Sequence, residues 1–410
     1  MNDTAAQLIL DRCDELAAIS SQPDRMERVH LSKEHRAAND LVAEWMREAG
    51  LSTWQDAAGN QCGRLEGSEP GLPALLLGSH IDTVPDAGRY DGMLGVLLAI
   101  QVAGRVRDSG IALPFALEVV AFSDEEGTRF GTALLGSRAL AGTWDDAWWN
   151  LTDKDGITLF EAFQDFGLDP ARLPSAFRRP ENLVGYLEAH IEQGPYLDDA
   201  DRRLAVVTSI AGARRFALEI VGKAGHAGGT PYDRRRDALV GASELVVAVE
   251  RISRERGVIG TVGRLQAFPG GVNVIPGRVE LSLDLRAEFD EDRDESIRLI
   301  ALAAHEICER RGLAFHQREI YRADAVRCDL GLQDAVLHGI RQTGDENPMA
   351  FWSRAGHDGV AVVAVTPIAM LFLRCRAGIS HHPDEAVRKA DVAAALHAYE
   401  AAVLRLVATS

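Results

Sequence analysis

Two short and almost wholly apolar segments constrain the fold of this chain more than any other feature. They are ALLLGS (74–79) and LEVVAFS (117–123), and each has the length and composition of a buried strand. Between them lies GMLGVLLAIQVAGRV (92–106), which has the length and apolar content of a helix. A strand, a helix and a second strand in this order predict an α/β unit with a mainly parallel sheet. Loops that carry ligands belong at the carboxyl ends of such strands.

The middle of the chain has a different pattern. The segments RFALEIVGKAG (215–225) and RVELSLDLRAEF (278–289) alternate apolar and polar residues, as half-buried antiparallel strands do. Helical spacing accompanies them at about 236–256 and 293–311. We therefore expect an inserted α+β domain at 211–325, with an antiparallel sheet and two helices.

On this division, residues 1–210 and 326–410 form a discontinuous α/β domain. Two further segments within it, 4–20 and 33–49, have apolar residues at helical spacing. The segment 141–182 is rich in Trp, Asp, Pro and Phe, and this composition predicts irregular helices and loops. We assign no function to this segment.

Charge and cysteine content exclude several classes of protein. The net charge of −17, from 44 basic and 61 acidic residues, argues against a nucleic-acid partner or an anionic membrane surface, because both need clustered Lys and Arg. The five cysteines are scattered and include no C-x-x-C, so we expect neither a disulfide framework nor a thiolate zinc site. The N-terminal segment has acidic residues where a signal peptide is basic, and no run of about 18 apolar residues predicts a membrane span. We expect a cytoplasmic protein.

Residues with metal-binding side chains follow the predicted strands or begin a helix. They lie in GSHIDT, RYDGMLG, FSDEEGTRF, EAHIEQGP and GISHHPDE, as His80 with Asp82, Asp91, Glu125 with Glu126, His190, and His381 with His382. Each motif alone has a simpler explanation, such as a hydrogen-bonded His–Asp pair, solvated glutamates or a loop histidine. Their joint occurrence, nearly all at strand ends, favours a metal centre.

This set of side chains fits a pair of divalent cations. Zinc or manganese binds imidazole and carboxylate ligands, and a catalytic site keeps one position open. Two ions about 3.5–4 Å apart need a bridging carboxylate and further ligands on each side. Asp82 can accept the second ring N–H of His80 and so orient it. Of the adjacent acids, we assign Glu126 as a ligand and Glu125 as the general base.

Taken together, the motifs resemble those of the amidase/hydantoinase/carbamoylase family within the aminoacylase-like two-zinc metallohydrolases. The resemblance covers about residues 20 to 400 and rests on GSHIDTV, YDGMLG, DEEGTRF, HIEQGP, GKAGHAGGTPYDRRRDA, NVIPG, AGHDG and GISHHPDE. It implies one metal held by His80 and His190 and another held by Glu126 and His381, with Asp91 as the bridge and Glu125 as the base. His381 follows Ser380 as the family's ligand does, whereas His382 stands where Asn is usual. Zinc is the favoured metal, and manganese, cobalt and nickel accept the same ligands.

The resemblance also implies that the inserted domain acts as a lid and dimerisation domain in a homodimer. The residues that it assigns to substrate binding are Gln193, Arg215, His226, Asn273 and Arg286. His226 would in addition stabilise the oxyanion, within its own subunit or across a dimer interface. Without the family, Arg286 is equally a solvated strand residue, and His226 and Asn273 are compatible with turns. We expect Gly356-His357-Asp358 to support the site structurally.

The implied reaction is hydrolysis of the ureido or N-carbamoyl C–N bond of a small carboxylic acid, with release of ammonia and carbon dioxide. Arg214 before Arg215 is typical of the allantoate enzymes, whereas carbamoylases more often keep only the second arginine, so allantoate is favoured. An N-carbamoyl-L-amino acid or N-carbamoyl-β-alanine is the alternative. Tyr232, Arg354 and LFLRCRAG depart from the family pattern near the expected pocket, which bears on the exact substrate more than on the reaction. A peptidase or deacylase of the same clan and a non-catalytic binding protein are more distant alternatives.

Overall fold

The structure is a computed structural model and describes residues 2–409. Its α-helices are α1 (Asn2–Ala17), α2 (Lys33–Glu48), α3 (Met93–Ser109), α4 (Leu135–Leu140), α5 (Leu159–Asp165), α6 (Tyr196–Asp199), α7 (Ala238–Arg256), α8 (Asp290–Arg311), α9 (Leu330–Gln342), α10 (Gly359–Val362) and α11 (Lys389–Thr409). Its strands are β1 (Ser52–Gln55), β2 (Gln61–Leu65), β3 (Ala74–His80), β4 (Ala116–Phe122), β5 (Leu183–Ile191), β6 (Leu204–Ile210), β7 (Gly212–Val221), β8 (Gly225–His226), β9 (Ile259–Thr261), β10 (Leu265–Phe268), β11 (Val274–Ile275), β12 (Arg278–Ala287), β13 (Ala314–Ala323), β14 (Val326–Arg327), β15 (Met349–Ser353) and β16 (Ile368–Leu373).

The first sheet contains the two segments that the sequence predicted as parallel strands. Its order is β1-β2-β4-β3-β5-β16-β6-β14, with β15 paired to β6. The central strands β4, β3, β5 and β16 are parallel, whereas β2 and β6 pair antiparallel on either side of them. β3 and β4 are buried along their whole length, as strands of a covered parallel sheet are. The predicted α/β class with a mainly parallel sheet is confirmed.

The second sheet is antiparallel and has helices on one face. Its order is β10-β12-β7-β13, with β9 paired to β12. Along β12, half-buried and buried side chains alternate as the sequence predicted. The buried side chains, among them Val279, Leu281, Leu283 and Leu285, pack with α7 and α8 in one core. The predicted α+β architecture of this region is confirmed.

The chain divides into two compact units. Unit 1 consists of the chain up to Thr208, Arg327–Phe351 and the chain from Ala355 onward, and unit 2 consists of Ser209–Val326 and Trp352–Arg354. The division made from sequence, at 210/211 and 325/326, left 352–354 outside the inserted domain. These residues group with unit 2 because the Ser353 carbonyl accepts the Ala211 N–H at 2.9 Å. In addition, the Arg354 carbonyl accepts a bond from Arg286 Nη1 at 3.0 Å.

The segment 141–182 forms a small packed layer on unit 1. It contains α5 and the 3-10 helices Asp146–Asn150, Pro170–Ala176 and Pro180–Asn182, and side chains of α5 and of the first two 3-10 helices belong to an apolar cluster. The rings of Trp144 and Trp149 pack edge-on against Phe163, with centroid distances of 6.0 and 5.0 Å. The α5 helix begins with a capping box between Thr158 and Glu161, which satisfies its first backbone N–H groups.

Helix α11 contains no run of 18 apolar residues, because Glu400 and Arg405 interrupt it, but its mean hydropathy makes it a candidate membrane span. By length and composition alone, this 21-residue helix meets that criterion. In the fold it packs against α1, α3 and α9, and its buried side chains include Leu396, Tyr399 and Val403. Such packing is typical of a core helix, which meets the same criterion for a different physical reason.

Candidate metal centre

The predicted metal-binding side chains of unit 1 follow four adjacent strands of the first sheet. His80 ends β3, His190 is near the end of β5, Glu125 and Glu126 follow β4, and His381 follows β16. Parallel strands bring their carboxyl ends to one edge of the sheet, which explains why these distant residues meet. Asp91 comes from the loop before α3, where Gly92 has a φ of +69°. A Cβ at Gly92 would lie 2.5 Å from the His80 ring, so only glycine fits this close approach.

Two groups of ligand atoms share Asp91. The first group consists of His80, Asp91 and His190, the second of Asp91, Glu126 and His381, and the atoms within each group lie within 4.8 Å of one another. Asp91 Oδ1 is 3.1 Å from His190 Nε2 and 3.7 Å from His80 Nε2. Asp91 Oδ2 is 3.0 Å from His381 Nε2, which is 3.4 Å from Glu126 Oε1. Each group therefore receives one oxygen of a single carboxylate, as a bridging ligand requires.

The two buried imidazole rings present the correct nitrogen to a cation. His80 Nδ1 is 3.1 Å from the carbonyl oxygen of Asp82, and His190 Nδ1 is 2.8 Å from that of Ile191. A proton on Nδ1 satisfies those carbonyls and leaves the Nε2 lone pair for a metal. His190 Nε2 and Asp91 Oδ1 are buried 3.1 Å apart, and neither has a hydrogen-bond partner besides the other. Because imidazole and carboxylate donors also suit zinc and manganese, the side chains present fit a metal pair.

Asp82 organises the loop that carries the two glutamates. Its Oδ1 and Oδ2 accept the backbone N–H groups of Glu125 and Glu126 at 2.9 and 3.0 Å. Its Oδ1 is also 3.4 Å from His80 Nδ1, farther than the Asp82 backbone carbonyl. The sequence suggested only that this carboxylate orients His80. In the structure it ties the ends of β3 and β4 together.

Burial controls the acid–base properties of the two glutamates. It raises the pKa of Glu125 well above its usual range, and Glu126 and Asp358 raise that pKa further while His80 lowers it. Burial, followed by the charge of Asp91, raises the pKa of Glu126 to about 7. A carboxyl group with a raised pKa can hold and release a proton near neutral pH, which is what a general acid–base residue needs. A divalent cation beside either group would favour its ionised form.

The pKa of Asp91 is shifted in the opposite direction. Burial alone would raise its pKa, but hydrogen bonds and charges of His190 and His381 outweigh burial and hold the pKa well below its usual range. Asp91 is therefore ionised at neutral pH, as a bridging ligand must be.

Gln193 and His381 both have left-handed backbone conformations, with φ values of +57° and +55°. Such values are uncommon outside glycine and occur often at functional sites. Gln193 Nε2 donates to Asp91 Oδ2 at 3.0 Å and is 3.3 Å from Ser380 Oγ. His382, by contrast, is exposed, and its Nδ1 accepts the Asp384 N–H at 3.1 Å. Of the two adjacent histidines, only His381 contacts Asp91 and Glu126.

Two residues of unit 1 that the sequence did not assign contact this group. Ser380 Oγ is 3.2 Å from Asp91 Oδ2, and Glu385 accepts the Asp91 backbone N–H at 3.1 Å. Their only sequence signal was their position in GISHHPDE, close to His381. His357, from the Gly-His-Asp motif, packs its ring edge-on against the His190 ring at 4.6 Å.

In unit 2, His226 and Asn273 lie together in a two-stranded ribbon. β8 pairs with β11, and the Asn273 carbonyl accepts the Ala227 N–H at 2.9 Å. His226 is exposed, and its Nδ1 accepts backbone N–H groups of Gly228 and Gly229 at 3.2 and 3.0 Å. In the neutral ring these bonds place the proton on Nε2, so that Nε2–H is available as a donor. Arg235 donates to the carbonyls of Ala227 and Thr230 and thereby holds this loop.

The two arginines predicted to bind a carboxylate share an acid on the helix-free face of the second sheet. Arg215 Nε is 2.7 Å from Asp284 Oδ2, and Arg286 Nε is 2.9 Å from Asp284 Oδ1. Burial would raise the Asp284 pKa, but Arg286 and Arg215 outweigh it and lower that pKa. Two guanidinium groups around one carboxylate leave a net positive charge at this place.

Arg214 points to the opposite face of β7, because successive side chains of a strand alternate. It pairs with Glu319 at 2.7 Å and with Asp294 of α8 at 3.0 Å. These are structural ion pairs on the side of the sheet that α7 and α8 cover.

Known proteins resemble the chain over nearly its whole length. A sequence model of peptidase family M20/M25/M40 matches residues 76–405. The chain is 42% identical over 386 residues to an N-carbamoyl-L-amino acid amidohydrolase of Geobacillus stearothermophilus, covering 93% of this chain and 94% of the relative. It is 38% identical over 416 residues to an allantoate deiminase of Arabidopsis thaliana, covering 94% of this chain and 79% of the relative.

Solved structures with the same fold belong to the same group of enzymes. The fold matches the crystal structure of a hydantoinase/carbamoylase family amidase from Burkholderia multivorans with a TM-score of 0.89 and 32% identity, covering 98% of this chain and 97% of that one. The resemblance inferred from the motifs is thereby confirmed, and so is the expectation of an enzyme. The chain belongs to peptidase family M20/M25/M40, as a hydrolase of C–N bonds related to the hydantoinase/carbamoylase amidases.

Proposed function

We propose that this enzyme hydrolyses the ureido or N-carbamoyl C–N bond of a small carboxylic acid and releases ammonia and carbon dioxide. N-carbamoyl-L-amino acids are the leading substrates, and allantoate is the second candidate. The observation that carries the proposal is the pair of ligand groups that share Asp91, with the Glu125 carboxylate within 4.8 Å of ligand atoms of His80 and Glu126.

Proton transfer is the task proposed for Glu125. Divalent ions, with zinc or manganese preferred, supply Lewis-acid chemistry that lowers the pKa of water and polarises a carbonyl. Glu125 takes the proton from the attacking water and passes it to the departing nitrogen. Its raised pKa supports this role, and the Asp82 bond to its backbone N–H fixes the loop from which it acts.

Unit 2 contributes recognition in this proposal. Arg286 and Arg215 bind the substrate carboxylate, because guanidinium groups match carboxylates in charge and geometry. His226 donates from Nε2–H to the oxyanion, supported by the two backbone bonds to its Nδ1. Asn273 of unit 2 and Gln193 of unit 1 offer amide groups to the ureido nitrogen and oxygen atoms. A homodimer, as the family resemblance implies, belongs to the same proposal.

The orientation of Arg214 changes the order of the two candidate substrates. The sequence favoured allantoate because Arg214 precedes Arg215. Since Arg214 is bound to Glu319 and Asp294 on the helix-covered face, it is not available beside Arg215 and Arg286. Allantoate stays the second candidate because the Arabidopsis thaliana relative, 38% identical, is an allantoate deiminase.

The test is ammonia release by metal-loaded enzyme from N-carbamoyl-L-amino acids, allantoate and N-carbamoyl-β-alanine. We expect the largest kcat/KM with an N-carbamoyl-L-amino acid and loss of activity after chelation. Dipeptides and N-acetyl amino acids are the control substrates. Cleavage of these amides without ammonia release from any ureide would instead make the protein a peptidase or deacylase.

A further inference from the structure

Glu385 lies beside the metal centre without belonging to either of its ligand groups. It ends the GISHHPDE motif, before α11, and only 4% of its surface is exposed. Its Oε1 accepts the backbone N–H groups of Tyr90 and Asp91 at 2.8 and 3.1 Å. Its Oε2 is 2.9 Å from the hydroxyl of Ser380. One buried carboxylate therefore receives three donors from two segments that are far apart in the chain.

The two segments are those that deliver two of the three ligands of the second group, Asp91 and His381. Asp91 is the shared ligand, and Ser380 immediately precedes His381. Ser380 Oγ also lies 3.2 Å from Asp91 Oδ2 and accepts from Gln193 Nε2 at 3.3 Å. The Ser380 hydroxyl therefore links the Glu385 carboxylate to the Asp91 carboxylate, in addition to the direct bond from the Asp91 backbone N–H to Glu385.

The loop before Asp91 is shaped around the Glu385 side chain. A Cβ at Gly88 would lie 2.4 Å from Glu385 Cβ, Cδ and Oε1. No side chain at position 88 can coexist with this placement of the carboxylate. A substitution at Gly88 would therefore displace the Glu385 carboxylate while residue 385 remains a glutamate.

We propose that Glu385 is a positioning residue that clamps the Asp91 loop to the Ser380–His381 loop and so sets the spacing of the metal ligands. It acts through hydrogen bonds to Asp91 and Ser380 and does not bind the ions. This inference rests on the proposed metal centre. Residues that orient ligands in this way typically change metal affinity about 10- to 100-fold when they are removed.

Replacement by glutamine separates the hydrogen bonds from the charge. In Glu385→Gln, the amide oxygen can accept both backbone N–H groups, and the amide nitrogen can donate to Ser380 Oγ. The serine proton then remains available to Asp91 Oδ2. Glu385→Ala removes all three contacts. A clamp made of hydrogen bonds is therefore kept by glutamine and lost with alanine.

The experiment is calorimetric titration of chelator-treated full-length protein with Zn²⁺ or Mn²⁺, together with its thermal unfolding midpoint. We expect Glu385→Ala to weaken metal binding about 10- to 100-fold and Glu385→Gln to stay within about threefold of wild type. Gly88→Ala should weaken binding as Glu385→Ala does. Ser380→Ala, which removes one contact of the three, should weaken it about three- to tenfold. The last variant keeps the test valid if Glu385→Ala does not fold.

The matched control is Asp384→Ala, which removes the exposed neighbouring acid in the same loop. Its carboxylate lies 3.7 Å from His382 Nδ1, and its substitution should leave metal affinity at the wild-type value. Wild-type affinity in Glu385→Ala would overturn the clamp alone. Equal losses in Glu385→Ala and Glu385→Gln would also overturn it, because the charge would then be responsible. If the wild-type protein bound no divalent ion, the metal centre itself would fail, and the clamp with it.

Discussion

Glu125 and Glu126 are neighbours in the chain, and their side chains have different surroundings. Both backbone N–H groups are held by Asp82, at 2.9 and 3.0 Å, so the loop fixes where each side chain begins. Glu126 Oε1 faces His381 Nε2 at 3.4 Å, as a ligand of the same ion would. Glu125 belongs to a group with His80 and Glu126 but not to either group that contains Asp91. These contacts support Glu126 as the metal ligand and Glu125 as the residue that carries the proton.

We therefore expect Glu125→Gln to lower kcat about 10²- to 10⁴-fold while the protein keeps its metal content. Glutamine preserves the shape of the side chain and removes the site that takes up a proton. The measurement is ammonia release at saturating substrate, with metal analysis of the same sample. Glu69→Gln, at an exposed position, is the control. Turnover at the wild-type rate would remove Glu125 from the reaction.

At the scale of single elements, the arginines of β7 and β12 lie on two different faces of the second sheet. Arg215 and Arg286 lie with Asp284 on one face, and Arg214 lies with Glu319 and Asp294 on the other. This separation follows from the two-residue period of a strand, and it predicts different effects of removing each charge.

Arg286→Ala should raise the KM for a carboxylate substrate about 10- to 100-fold, because a charge-assisted hydrogen bond contributes roughly 1.5–3 kcal/mol. Arg214→Ala should leave KM unchanged and lower only stability, since it removes ion pairs within unit 2. Steady-state kinetics and urea unfolding of the two variants distinguish these effects. An unchanged KM in Arg286→Ala, or an equal increase in Arg214→Ala, would contradict the assignment.

The sequence predicted elements better than contacts. Apolar composition identified β3, α3 and β4, because nearly unbroken apolar runs of these lengths are typical of buried strands and of a buried helix. The same prediction also brought His80, Glu126 and His381 into one site, since parallel strands share an edge. The layer at 141–182 escaped a specific prediction because its helices are short and its core depends on Trp144, Trp149 and Phe163 meeting in space.

The spacing of residues in the sequence does not indicate which hydrogen-bond partners a side chain will have. Nothing in GISHHPDE reveals that Glu385 bonds to a backbone N–H 294 positions earlier in the chain. Likewise, the H-x-D motif suggested that Asp82 holds a ring, and it does not show that its oxygens accept the N–H groups of Glu125 and Glu126. Such bonds depend on tertiary geometry, because a carboxylate accepts from any donor that the fold brings to it.

At the scale of the whole molecule, two buried histidines connect the N-terminal part of unit 1 with the layer at 141–182. The His35 ring stacks on Phe166 at 4.9 Å, and the His30 ring packs edge-on against Phe163 at 6.1 Å. Both residues are fully buried, and the Nε2 atom of each has no hydrogen-bond partner. Burial lowers the pKa of His30 to about 3 and lowers that of His35 well below its usual value.

These shifts predict that the contribution of His30 and His35 to folding stability decreases as the pH drops below about 6.5, the usual histidine pKa. In that range the unfolded chain binds a proton at each histidine and the folded protein does not, so stability rises with pH and is lost as pH falls. Between pH 7.5 and 5.5, each such histidine should lower the free energy of unfolding by on the order of 1 kcal/mol.

His35→Asn tests this prediction, because the asparagine oxygen can replace Nδ1 as the acceptor of the Leu31 N–H, which now lies at 3.0 Å. The variant loses its stacking on Phe166 and should be less stable than wild type at pH 7.5. Its free energy of unfolding should nevertheless fall by on the order of 1 kcal/mol less than that of wild type on going to pH 5.5, because it has lost one group that takes up a proton on unfolding. Urea unfolding of chelator-treated protein measures both effects, with His316→Asn on the exposed side of β13 as the control. Equal losses in wild type and His35→Asn would mean that this buried ring does not control the acid stability of unit 1.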